Sequence, residues 1–128
     1  MEAIVVVTLL ALAQFLYFGT KVGQARVKYD VKAPAISGNA DFERIFRVHQ
    51  NTLEQLIVFT PSLWFFGIYV HAMAGAALGV GYLVGRHIYY NTYKGDAGKR
   101  AVGMLVGYVP MVVLLLGGLG GAIWNWVS

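Results

Sequence analysis

The chain has 128 residues, 58 % of them hydrophobic and only 12 % charged, with a net charge of +4. A soluble globular domain carries about 25 % charged residues, so this composition argues against an ordinary water-soluble fold, and the length suits one compact domain over residues 1–128. There is no cysteine, which excludes disulfides, thiolate metal sites and a cysteine nucleophile, so any sulfur chemistry needs a sulfur brought by a ligand.

The charges are unevenly placed. No Asp, Glu, Lys or Arg occurs from Ala3 to Thr20, between Glu54 and Arg86, or from Ala101 to Ser128. A bilayer-spanning helix needs about 20 apolar residues. The first and last stretches each suit one span, and the middle stretch holds parts of two spans joined by a turn. The expectation is therefore an all-α protein, a bundle of four transmembrane helices.

Helix one is expected over 3–27. It begins with Glu2 instead of a basic segment and lacks a clear small-x-small cleavage site before Lys21, so it reads as a retained helix, not a signal peptide. A loop over 29–41 carries the breakers Pro34, Ser37, Gly38 and Asn39. Asp41 is the expected N-cap of helix two, which runs over 42–70 with Pro61 inside it; Arg44 occupies the third helical position, so no capping box forms. A turn is expected at 71–75, where small residues cluster, then helix three over 75–93. Residues 94–98 (Lys-Gly-Asp-Ala-Gly) form the last turn, and helix four covers 99–126 with Pro110 inside it and Trp124 and Trp126 at its interfacial end.

All ten Lys and Arg residues fall at one set of helix ends. With four spans, the first and third connections share a side, and the positive-inside rule places both in the cytoplasm. Topology thus accounts for the net positive charge without a nucleic-acid partner.

Two polar groups lie on helices. Arg47, Asn51 and Glu54 are spaced i, i+4, i+7 on helix two and share one face, with Arg44, His49 and Gln50 alongside. Arg86, Tyr89 and Tyr93 do the same on helix three, and Arg100 follows at the start of helix four. Charged groups at membrane depth are costly and usually face the bundle interior or a watery cavity. Arg47 and Glu54 are two turns apart, so each needs a partner from elsewhere, with Arg86 one candidate. Plainer readings stand beside these. Arg44, Arg86, Lys94 and Lys99 fit snorkelling or topology roles, and Tyr89, Tyr90 and Tyr93 fit an interfacial aromatic belt equally well. His49 reads as a structural interfacial residue and His71 as a loop residue. The histidines at 49, 71 and 87 lack metal-ligand spacing, so no metal is expected. From the residues alone the site is a cationic anion site at the membrane surface.

The run Phe42-Glu43-Arg44-Ile45-Phe46-Arg47-Val48-His49-Gln50-Asn51-Thr52-Leu53-Glu54 resembles the signature of the MAPEG superfamily, the membrane-associated proteins of eicosanoid and glutathione metabolism. The second stretch, Gly85-Arg86, Tyr89, Tyr93 and Arg100, resembles the same family, and RVHQNTLE is most similar to its microsomal glutathione transferase branch. The resemblance covers the whole chain in length, span count and loop placement. It implies a homotrimer with glutathione held between subunits near the cytosolic face. It assigns glutathione contacts to Arg47, Asn51, Glu54, Arg86, Tyr89 and Tyr93, to Arg26 reaching in from a neighbouring subunit, and to Gln50 as a further candidate. Arg100 matches the arginine that activates the thiol.

The function implied is a membrane-bound glutathione transferase, with glutathione as co-substrate and a lipophilic electrophile or lipid hydroperoxide arriving through membrane lipid. A peroxidase activity toward lipid hydroperoxides goes with that reading; a non-catalytic lipid-binding adaptor and a glutathione-dependent isomerase are the alternatives within the resemblance, and the presence of Arg100 argues against the adaptor. A bacterial inner membrane is the expected location. Two positions depart from the family pattern: Gln55 stands where tyrosine is common, and Ile57 where proline is common, with Pro61 one turn later.

Overall fold

The computed structural model describes residues 1–93 and 100–128; the side chain of Arg100 and the expected turn at 94–98, with Lys99, lie outside the described residues. Four helices follow in order: α1 (Glu2–Tyr29), α2 (Ala40–Tyr69), α3 (Ala72–Tyr93) and α4 (Arg100–Val127), and no strand occurs among the described residues. The all-α, four-helix expectation holds.

The boundaries shift for identifiable reasons. α1 runs on to Tyr29 and stops where Asp30 turns left-handed (φ 54°), its N–H donating back to the Arg26 carbonyl. The N-cap of α2 is Asn39 and not Asp41: the Asn39 side chain accepts from the Phe42 N–H at 3.0 Å. Asp41 instead sits in the first turn, where its carboxylate favours the helix dipole and pairs with Arg44. The α2–α3 turn is tighter than expected. It comprises Val70 and His71, and His71 Nδ1 accepts from the Ala74 N–H at 3.1 Å, closing the start of α3. Gly75, expected at the turn's end, is buried inside α3, where an added Cβ would lie 3.1 Å from the Phe66 ring.

One face of each helix meets in a common core. Ile4, Val7 and Ala11 of α1 pack with Leu56, Phe59, Leu63 and Phe66 of α2, Ala76 and Tyr82 of α3, and Met111 and Leu114 of α4. Phe59 and Tyr82 stack with ring centroids 4.0 Å apart. The Trp64 indole donates to Thr8 Oγ1 at 2.8 Å and ties α2 to α1. At the basic end a second cluster joins Phe18, Val48, Tyr89 and Tyr90. α3 and α4 come into backbone contact there. A Cβ on Gly85 would stand 2.6 Å from the Val106 carbonyl carbon, and closer still to Gly107. α1 and residues 101–127 of α4 are long and apolar enough to cross a membrane by length and composition. Their outward faces carry exposed Leu9, Leu16, Leu116 and Leu119, as lipid-facing helices do.

Candidate functional site

Arg86 is the organising residue of the basic end. It lies on α3 at 2 % exposure, and its guanidinium points into α2. Nη1 donates to Asn51 Oδ1 at 3.2 Å and Gln55 Oε1 at 3.3 Å; Nη2 donates to Thr52 Oγ1 at 2.6 Å and the Val48 carbonyl at 3.2 Å. All four acceptors are neutral. A buried ion normally needs an opposite charge or extensive hydrogen bonding to offset its desolvation, and Arg86 has four hydrogen bonds through its two Nη atoms. Its Nε has no hydrogen-bond partner among the described residues.

This corrects the candidate pairing of Arg86 with Glu54. Glu54 is exposed, on the outer side of α2 with Arg47 and Gln50, whereas Val48 and Thr52 are buried. The i, i+4, i+7 stripe therefore divides. Asn51 leans inward to Arg86 and is half-buried, while its two charged neighbours face out of the protomer.

The aromatic residues extend the network. The Arg86 guanidinium lies 4.8 Å from the Tyr89 ring centre, and Tyr89 stacks on Tyr93 with centroids 5.2 Å apart and planes at 11°. Tyr93 then opens onto a cleft of about 440 Å³ shared with Arg47, Arg44, Glu43, Phe46, Ala40 and Ile36. Arg47 and Tyr93, from different helices, thus meet at one surface cavity, and a continuous path of contacts leads from it to Asn51. A cleft lined by the guanidiniums of Arg44 and Arg47, the Glu43 carboxylate and the Tyr93 phenol suits a ligand that bears a carboxylate, because guanidinium forks onto carboxylates.

Arg26 is placed differently. Its Nη1 donates to the Ala35 carbonyl at 2.7 Å and the Val31 carbonyl at 3.3 Å, and its guanidinium lies 5.0 Å from the Phe42 ring centre. Within one protomer it anchors the α1–α2 loop. His49 stacks on Phe15 at 4.5 Å, in keeping with a structural role. Among the described residues no group of three His, Asp or Glu side chains could hold a metal.

Two polar contributors were not singled out from the sequence. Thr52 stands on the otherwise apolar inward stripe Val48–Thr52–Leu56–Phe59–Leu63. A hydroxyl in that register was the available signal. Gln55, noted only as a departure from a pattern, is bonded to both Asn51 and Arg86.

The MAPEG family profile matches residues 4–120. The chain is 44 % identical to an uncharacterized protein of Synechocystis, over 93 % of this chain and 87 % of that one. It is 40 % identical to microsomal glutathione S-transferase 2 of Homo sapiens, over 89 % and 78 % of the two chains. It is 32 % identical to leukotriene C4 synthase of Rattus norvegicus, over 95 % and 89 %. With a match of this extent laid over a four-helix bundle whose apolar faces look outward, the chain belongs to the MAPEG family of helical membrane proteins.

Proposed function

We propose that this protein is a membrane-bound glutathione transferase that binds glutathione at the basic end of the bundle and activates it as a thiolate toward lipophilic electrophiles. The observation that carries this reading is the connected set Arg47–Tyr93–Tyr89–Arg86–Asn51, standing in a chain 40 % identical to a glutathione S-transferase.

Glutathione carries two carboxylates, one ammonium group and one thiol. In the proposed site Arg47 takes a carboxylate in the cleft, and the phenols of Tyr89 and Tyr93 line the path inward. Asn51 offers a hydrogen bond beside Arg86, and Glu54 takes the ammonium with Gln50 next to it. Glu54 and Gln50 face outward in a single protomer, beside the exposed apolar residues Leu53 and Ile57. A carboxylate left facing lipid is costly, which supports a second subunit covering this face. A homotrimer with Arg26 contributed by a neighbour is the assembly proposed, with the site facing the cytoplasm of a bacterial inner membrane.

Arg100 is assigned the chemical step. A thiol of pKa about 8.5 is only a few per cent ionised at neutral pH. A permanent guanidinium charge beside the sulfur favours the thiolate without taking its proton, which leaves to water. The thiolate then attacks an electrophilic carbon; a carbon–sulfur bond forms as the leaving group departs with its electron pair. Gly103, one turn after Arg100, abuts the backbone of Tyr89, and this contact sets the start of α4 against the Tyr89–Tyr93 side of α3.

The test is an ultraviolet titration of the thiolate band with detergent-purified protein and glutathione, run in parallel on Arg100→Ala. The expected result is a band well below the free-thiol pKa that the variant lacks, with glutathione still bound. Absence of both band and binding in the wild type would reject the transferase and favour the lipid-binding adaptor. Turnover of a substrate without consumption of glutathione would point to the isomerase.

A further inference from the structure

We propose that Gln55 is a positioning residue that fixes which end of the Asn51 carboxamide faces the ligand, and so selects a hydrogen-bond acceptor on that ligand. This rests on the glutathione reading of the site. The argument begins with donors and acceptors. The Arg86 guanidinium only donates, so whatever touches its Nη1 must present oxygen. Asn51 Oδ1 and Gln55 Oε1 both do so, at 3.2 Å and 3.3 Å. Gln55 Nε2 then donates to the same Asn51 Oδ1 at 3.2 Å. The three side chains close a ring of hydrogen bonds in which every atom has one consistent polarity.

The consequence falls on Asn51. Two donors hold its Oδ1 inward, so its Nδ2 is directed away from them, on the half-exposed side of the residue, and has no hydrogen-bond partner among the described residues. A carboxamide with its oxygen held inward offers only N–H to an incoming molecule. It therefore suits a carboxylate or carbonyl oxygen of glutathione and disfavours a ligand donor at that point. Gln55 itself is engaged at both its oxygen and a nitrogen and acts through Asn51 and Arg86.

Substitution by glutamate keeps the acceptor for Arg86 and removes the donor to Asn51. In Gln55→Glu a carboxylate accepts strongly from Arg86, so the buried cation gains a counter-charge. The same carboxylate cannot donate to Asn51 Oδ1 and attracts its Nδ2, so the amide keeps Arg86 as its single inward donor while its N–H is drawn away from the ligand. The new charge also opposes an anionic ligand directly, so the uncharged Gln55→Met, compared with and without the Asn51 amide, isolates the route through Asn51.

The experiment measures glutathione affinity by calorimetry and melting temperature on detergent-solubilised full-length protein, for wild type, Gln55→Glu, Gln55→Met, Asn51→Ala and the two double variants. Gln55→Glu is expected to keep or raise the melting temperature while weakening glutathione by about ten- to a hundredfold, the scale of one hydrogen bond to a charged group. Gln55→Met, which supplies no donor and only a weak sulfur acceptor, is expected to lower both. On the Asn51→Ala background Gln55→Met should not weaken binding further, and Gln55→Glu should weaken it less than on the wild-type background, because only the direct effect of its charge remains. Failure of the wild type to bind glutathione would overturn the functional reading and this proposal with it. Wild-type binding that is unchanged in both single variants, or a Gln55→Met effect that persists in full without the Asn51 amide, would overturn this proposal alone.

Discussion

Gly85 offers the sharpest test of how the bundle positions its chemistry. A methyl group at this position would stand 2.6 Å from the Val106 carbonyl carbon and nearer still to Gly107 N and Cα. Carbon atoms rest about 3.5 to 4.0 Å apart, so Gly85→Ala must part α3 and α4 by about 1 Å. The obstacle is backbone on both sides, and no flexible side-chain tip can yield. Overpacking of this kind costs about 1 to 3 kcal/mol, and the rigid obstacle places it at the upper end. The better helix propensity of alanine returns about 1 kcal/mol. A net loss of about 2 kcal/mol is expected.

The functional loss should be larger than the stability loss suggests. α4 begins at Arg100, the residue assigned to thiolate activation, and Gly85 neighbours Arg86 in the binding network. A misplacement of about 1 Å in a catalytic geometry costs about a hundredfold in rate. The assay pairs thermal unfolding in detergent, followed by tryptophan fluorescence, with the initial rate of glutathione conjugation to a chromogenic electrophile. Gly120→Ala is the control, because a Cβ there meets nothing within 4 Å, and it should match or slightly exceed the wild type in both readouts. Wild-type melting and turnover in Gly85→Ala would refute the reasoning, since the helices would then tolerate separation.

Further outcomes follow from the same contacts. Glu54→Gln should weaken glutathione binding in a calorimetric titration; unchanged affinity would remove Glu54 from the ligand shell. Arg86→Lys keeps the charge but loses the planar fork, so at least one of the four acceptors, two of them buried and two half-buried, goes unpaired, and the melting curve should show a loss of about 1 to 3 kcal/mol. Trp64→Phe should cost about 1 kcal/mol by deleting the bond to Thr8 Oγ1, and a double-mutant cycle with Thr8→Ala should recover that coupling. Arg100→Ala should lower turnover far more than it weakens glutathione binding in parallel kinetic and binding measurements; equal losses in both would remove the thiolate role.

The helix count was legible because charge gaps of bilayer length leave few other arrangements. The ends were less so, for physical reasons. Asn39 and Asp41 are both good N-cap residues, and only the fold shows that Asn39 accepts from Phe42 while Asp41 sits inside the first turn. The small residues near Gly75 read equally as a turn or as a packing surface. They are the latter, since Gly75 lies buried where Phe66 and Ile4 close on it. At the site, spacing placed Arg47, Asn51 and Glu54 on one face, but a stripe three residues wide has an inner and an outer margin. Periodicity does not say which margin meets the neighbouring helix.

That division of the stripe bears on the anion binding proposed for the site. Had Glu54 faced inward, it would have neutralised Arg86 and left the interior of the basic end without net charge. Instead Arg86 is held by oxygens that carry dipoles but no charge, and Arg47 adds a second cation at the cleft mouth. Neutral acceptors fix the guanidinium in place without cancelling its field, and low-dielectric surroundings keep that field from being screened. A ligand carboxylate reaching the Tyr93 side of the cleft therefore meets a positive potential set by the fold itself. Replacing one of the neutral acceptors by an acid would relieve the buried arginine at the expense of that potential, so stability and anion affinity pull in opposite directions at this end of the bundle.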